Sequence, residues 1–256
     1  MIKNVHVLKT EAVVLRHSDW GEADRILVLF TKEAGKLRGI AKGVRRLHSR
    51  KSGHLEPFTR VALVLAKGRD MWIVTQAEAL DLFPQLGNDL IKTAHASFVI
   101  ELLDRSTFEE GENQALYKLL IETLSRLGTE ETLFHPLLYY ETRLLDFLGF
   151  RPQLFNCVDC QSEITARDQY ISYLEGGVLC PDCGSGRSAA APISMQALKY
   201  LRHFQRSSYK ETLRASIAPS IQAEIEQLME DYFTFLLERN LNSPSFLREI
   251  RSFYKT

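Results

Sequence analysis

Long apolar runs are missing from this 256-residue chain. No uninterrupted hydrophobic stretch approaches the ~20 residues that a membrane-spanning helix needs. The opening Met1-Ile2-Lys3-Asn4-Val5-His6 lacks the basic segment and apolar run of a secretory signal, so the chain is expected to be soluble and cytosolic. Cysteine is scarce too: there are four, and in a reducing compartment they call for metal or redox chemistry, not structural disulfides. The motifs of several enzyme classes are absent: there is no G-x-x-x-x-G-K-[ST], no G-x-S-x-G and no H-E-x-x-H. The seven histidines, at 6, 17, 48, 54, 95, 135 and 203, are scattered, with no pair at metal-ligand spacing. Glu22 and Asp24 form the one conceivable acid pair, and a charged loop-to-strand junction explains them more simply. These absences predict a protein that is not an enzyme.

Net charge is also lacking, but only in the sum. Residues 1–80 hold 15 Lys/Arg against 8 Asp/Glu, a net +7, whereas the remainder holds 17 against 24, a net −7. Such asymmetry points to one half with a polyanionic partner and another half with a separate task.

The basic half reads as strands. Val5–Leu8 leading into Ala12–Leu15, Arg25–Phe30, Leu37–Val44, Val61–Leu65 and Met71–Thr75 are apolar and β-branched, with hairpin signals at Thr31–Lys36 and Lys67–Asp70. Five short strands in about 80 residues, with no helical period between them, predict a small closed barrel of the OB type. After Pro84 the period becomes helical. Ile91 to Leu103, Leu116 to Leu127, Leu137 to Leu148 (ending at Gly149, a suitable C-cap), Ser194 to Phe204 and Ile221 to Leu237 carry apolar residues at helical spacing. The expected fold is therefore α+β: an OB-fold barrel over 1–80, then an all-helical domain over 81–256 interrupted by a small insert at about 154–186. Gly184 to Ala191 reads as a small-residue connector.

All four cysteines lie in that insert, as Cys157-Val158-Asp159-Cys160 and Cys180-Pro181-Asp182-Cys183. Two residues between thiolates let one tight turn offer both sulfurs to a single ion, and a second such turn completes a tetrahedral shell suited to zinc. Tyr170–Tyr173 and Gly176–Leu179 supply a hairpin between the turns. A pair of redox dithiols, or four unrelated thiols, is the competing reading. A four-sulfur shell has no open position for water, so one zinc per chain would be structural. Contact between this module and nucleic acid is an open alternative, which its acids Asp159, Glu163, Glu175 and Asp182 disfavour.

Lys32, Lys36, Arg38, Lys42, Arg45, Arg46, Arg50 and Lys51 stand against a single acid, Glu33, over 20 residues. A barrel wall followed by a glycine-containing loop can present such a set along a phosphate backbone. Phe30, Phe58 and Trp72 are candidates for base stacking, though strand aromatics mostly fill barrels. Solvated surface charge is the plain alternative.

The segments Thr31-Lys32-Glu33-Ala34-Gly35-Lys36-Leu37, Ala41-Lys42-Gly43-Val44-Arg45-Arg46 and Leu55-Glu56-Pro57-Phe58 resemble the N-terminal domain of bacterial RecO proteins. Thr10–Leu15, Gly21–Arg25 and Leu148-Gly149-Phe150-Arg151-Pro152 before Cys157 fit the same pattern, so the resemblance spans most of the chain. It implies an OB-fold, a helical C-terminal domain and, in cysteine-bearing members, a zinc site. It further implies binding of single- and double-stranded DNA, annealing of complementary strands, and recombinase loading on DNA coated by single-stranded-DNA-binding protein. The implied partners are RecR and the C-terminal tail of that coating protein, in a cytoplasmic, nucleoid-associated setting. Cysteine positions vary within the family, so zinc rests on this chain's own spacing. Two other readings remain: a zinc-containing RNA-binding factor, and a metal-stabilised protein–protein adaptor whose basic barrel is incidental.

Overall fold

A computed structural model describes residues 6–109, 111, 113–238, 241 and 243. Five strands, β1 (Val7–Trp20), β2 (Asp24–Thr31), β3 (Gly35–Ala41), β4 (Arg60–Lys67) and β5 (Trp72–Asp81), form a closed barrel in the order β1-β2-β3-β5-β4. All pairings are antiparallel except β3 with β5, which is parallel and joins only Gly39 to Trp72 and Ile40 to Ile73. This is the expected OB-like barrel, with β1 as one continuous strand where the sequence suggests two runs. A shift in register between Val14 and Arg16 bends it, which lets so long a strand pair on both sides of a small barrel. The interior follows the period-2 alternation: Ala12, Val14, Leu27, Leu29, Leu37, Ala41, Val61, Leu63, Leu65 and Val74 are buried together, with Val44 and Leu55 from the β3–β4 connection.

Three helices follow, α1 (Pro84–Gly87), α2 (Leu90–Ser106) and α3 (Gln114–Thr129). Asp89 and Asn113 cap α2 and α3 by accepting from backbone N–H groups of their first turns. The last barrel strand ends at Asp81, but the first compact unit runs on to Glu131 and includes these helices; the second begins at Thr132.

The second unit contains α4 (Phe134–Leu148), β6 (Gln169–Ser172), β7 (Gly177–Leu179), α5 (Pro181–Gly184), β8 (Ala190–Ile193), α6 (Met195–Arg206), α7 (Tyr209–Thr212) and α8 (Pro219–Leu237). Gly149 ends α4 in the left-handed conformation (φ 79°), as its sequence position predicts. The small sheet has the order β7-β6-β8. Its edge strand β8 takes the last residues of the segment read as a connector, a correction to that reading. None of the described helices is long and apolar enough to cross a membrane.

Glu141 on α4 is buried, and burial first, then the carboxylates of Glu226 and Glu230 on α8, push its pKa from an ordinary 4.5 up to about 8. Between these two values the unfolded chain has lost a proton that the folded chain retains, so stability falls as pH rises from about 4.5 to 8. Glu141→Gln is expected to flatten that fall and to stabilise the protein by about 2 kcal/mol at pH 8 with little effect at pH 4.5. Urea unfolding at the two pH values checks this, and equal stabilities of variant and parent at pH 8 would contradict it.

Candidate nucleic-acid interface and metal centre

The four cysteines converge as the spacing predicts. Cys157 and Cys160 sit on a turn closed by Gln161 N–H donating to the Cys157 carbonyl (3.0 Å) and Cys157 N–H donating to the Ser162 carbonyl (2.9 Å), with Gln161 in the left-handed region at φ 61°. Cys180 is the N-cap of α5, whose single turn brings Cys183 back beside it; Cys183 N–H donates to the Cys180 carbonyl at 3.1 Å. Gly184 follows because a Cβ there would lie 2.6 Å from the Tyr170 ring on β6. All four Sγ atoms lie within 4.8 Å of one another, and Cys160 and Cys180 are 3.8 Å apart. Sulfurs on a tetrahedron with ~2.3 Å metal bonds are separated by about 3.8 Å, so the donor set can hold zinc.

Further features fit a cation. Cys157 is fully buried, and its sulfur accepts from Cys180 N–H at 3.4 Å. The Ser162 hydroxyl, 2.7 Å from Cys160 Sγ, holds that thiol below its ordinary range. Hydrogen bonding to Cys180 and Cys160 instead pushes Cys183 up. Arg187 pairs with both Asp159 (2.8 Å) and Glu175, cancelling two of the module's acids.

The eight basic residues divide by position. Lys42, Arg45, Arg46 and Arg50 lie in the connection leaving β3, and all four are exposed. Among the described residues Lys42, Arg46 and Arg50 form no ion pair, so their charge is available to a ligand. Arg45 lies 3.2 Å from Asp19. Arg38, exposed on β3, is 3.8 Å from Glu109. Lys32 and Lys36 lie at the opposite end of β3, which is about 20 Å long at ~3.3 Å per residue. Lys32 lowers the pKa of Glu11 by its charge, secondary to the hydrogen bond Glu11 accepts from Arg60. Lys36, its side chain only 12% exposed, donates to the Asp104 (2.5 Å) and Thr107 carbonyls at the C-terminus of α2. Lys51 turns inward, its ammonium donating to the Val74 carbonyl on β5 (3.1 Å). The structure thus assembles a loop cluster of four and gives Lys36 and Lys51 internal partners.

Of the aromatic candidates, Phe30 is buried and Trp72 packs partly buried against the barrel core. Phe58 is half-buried, in the left-handed region at φ 71°. Trp20 escaped the sequence reading: it ends β1 at the β1–β2 tip and is 58% exposed. Its position directly before Gly21 in a polar hairpin tip, where no core face is available, was the one signal for it.

Two family models divide the chain between them: Recombination protein O N terminal matches residues 5–83, and Recombination protein O C terminal matches residues 87–245. The chain belongs to the RecO family. DNA repair protein RecO of Roseiflexus sp. (strain RS-1) is 40% identical over 250 residues, covering 98% of this chain and 88% of the relative. DNA repair protein RecO of Dehalococcoides mccartyi (strain ATCC BAA-2266 / KCTC 15142 / 195) is 35% identical over 234 residues (91% and 92%), and that of Symbiobacterium thermophilum is 33% identical over 245 (94% and 97%). The protein is thus a RecO-family DNA repair protein, as the sequence resemblance implies, with its barrel in the N-terminal family region and its cysteines in the C-terminal one.

Proposed function

We propose that this chain is a non-catalytic recombination mediator that binds single- and double-stranded DNA through the loop after β3, with Lys42, Arg46 and Arg50 as its principal phosphate contacts and Arg38 and Arg45 flanking them. The observation that carries this reading is the cluster of exposed cations, without ion partners among the described residues, on an OB-like barrel in a RecO-family chain. Phosphate contacts made this way carry no sequence information and weaken steeply with salt. Annealing needs no bond-making residue: neutralising two backbones lowers their mutual repulsion, and base pairing supplies the driving force. On this reading the chain also assists recombinase loading on DNA coated by single-stranded-DNA-binding protein, with that protein's C-terminal tail and RecR as partners, at the nucleoid. Cys157, Cys160, Cys180 and Cys183 hold one structural zinc, which when bound cross-links the two cysteine turns and does no chemistry.

The test is annealing of two complementary labelled oligonucleotides, coated beforehand with single-stranded-DNA-binding protein. Acceleration by this chain is expected, and more so at low salt. Tight binding to DNA without acceleration would reject the mediator role. A marked preference for RNA, or no nucleic-acid binding at all, would favour the RNA-binding or adaptor readings respectively.

A further inference from the structure

Trp20 and Trp72 are the only tryptophans in the chain, and they occupy opposite environments. Trp72 packs against the barrel core, whereas Trp20 stands 58% exposed at a hairpin tip. The backbone beneath Trp20 is held in register, since Trp20 pairs with Asp24 and Asp19 with Arg25.

That tip is tied to the start of the basic loop. Gly43 N–H donates to Asp24 Oδ1 at 2.7 Å, and Arg45 N–H donates to the Ala23 carbonyl at 2.9 Å. The Arg45 guanidinium reaches the Gly21 and Glu22 carbonyls at 3.4 Å and Asp19 at 3.2 Å. The tip that bears the exposed indole and the start of the loop that bears the exposed cations are therefore one hydrogen-bonded unit, not two independent loops. Three of the four acids around it are engaged: Asp19 faces Arg25 and Arg45, Asp24 accepts from Gly43, and Glu56 faces Arg25 and His17, while Glu22 stands exposed at the tip. Leu47, 97% exposed on the loop, adds a second apolar group to this end of the barrel.

An aromatic face beside a run of phosphate-seeking cations is the arrangement that binds single strands, because an unpaired base has a free face to stack and a paired base does not. We infer that Trp20 is a base-stacking platform for single-stranded DNA, taking one unpaired base while the neighbouring cations hold the backbone. This rests on the DNA-binding reading above and adds a preference for unpaired over paired strands to it.

Trp20→Ala and Trp20→Tyr should be compared with the parent protein on oligo-dT of about 20 nucleotides and on a duplex of similar length at one salt concentration. The alanine variant is expected to bind oligo-dT at least fivefold more weakly, with duplex affinity unchanged. The tyrosine variant should recover most of the loss. Oligo-dT should quench the protein's indole emission in the parent and leave that of the alanine variant unchanged. Equal losses on both DNAs, or no loss on either, overturn the inference while leaving DNA binding standing. Parent protein that binds neither DNA overturns both.

Discussion

Replacing Lys42, Arg46 and Arg50 together by alanine is expected to weaken duplex binding by about a hundredfold near 0.15 M salt and to lower the salt slope by about 2.7. Each phosphate contact on B-form DNA contributes close to ~0.9 to the slope through released counterions, and these three cations have no ion partner among the described residues. On single strands the loss of slope should be smaller, about 0.7 per contact. Arg45 is a poorer choice for the test: its guanidinium also bridges Asp19 and the carbonyls of the β1–β2 tip, so changing it disturbs the hairpin as well as the surface. Lys36→Ala serves as the control. Its ammonium satisfies carbonyls at the C-terminal end of α2, so its loss should lower stability by about 1–2 kcal/mol and leave the slope untouched. Fluorescence anisotropy across a salt series reads both effects. A triple variant with an unchanged slope would remove the loop from the interface.

Substituting Cys157 by serine is expected to abolish zinc binding and unfold the small sheet with its two cysteine turns. Zinc binding by isolated four-ligand peptides contributes on the order of 10 kcal/mol, so little of the local structure should survive its loss. Cys157 is the most severe position, because its sulfur is fully buried and also accepts from Cys180 N–H. Metal analysis should find about one zinc per parent chain and none in the variant, with limited proteolysis cutting the variant between about 154 and 193. The barrel's own resistance to proteolysis should persist. Parent protein purified without chelator, with its thiols reduced and no metal bound, would refute the site.

The legible and illegible parts of this molecule divide by the range of the interactions involved. Local patterns sufficed for the five barrel strands, for the Gly149 cap, and for the cysteine set, where each turn's geometry is written in its own two-residue spacing. β8 was illegible because Ala190-Ala191-Pro192-Ile193 has no β-branched alternation; it is a strand because β6 offers it an edge, where a proline without an N–H is tolerated. The engagement of Lys36 was equally hidden, since Asp104 lies 68 residues along the chain. Nor does helical periodicity say with which unit a helix packs, so the inclusion of α2 and α3 in the barrel's unit emerges only in three dimensions. Trp20 shows the reverse: the one sign of its exposure was local, its place directly before Gly21 in a polar hairpin tip.

The barrel closes through the two-residue parallel pairing of β3 with β5, far shorter than its antiparallel ladders. The loop that leaves β3 crosses to β5 as well: Lys51 donates to the Val74 carbonyl, and His54 Nδ1 accepts from Ala79 N–H at 3.1 Å. This loop is thus a strap over the barrel's shortest seam, and its outer side carries Lys42, Arg46 and Arg50. On the DNA-binding reading proposed above, a polyanion held by those cations would favour the strapped state over one with the seam sprung. By linkage it would then stabilise barrel closure, and an intact seam would in turn raise its affinity.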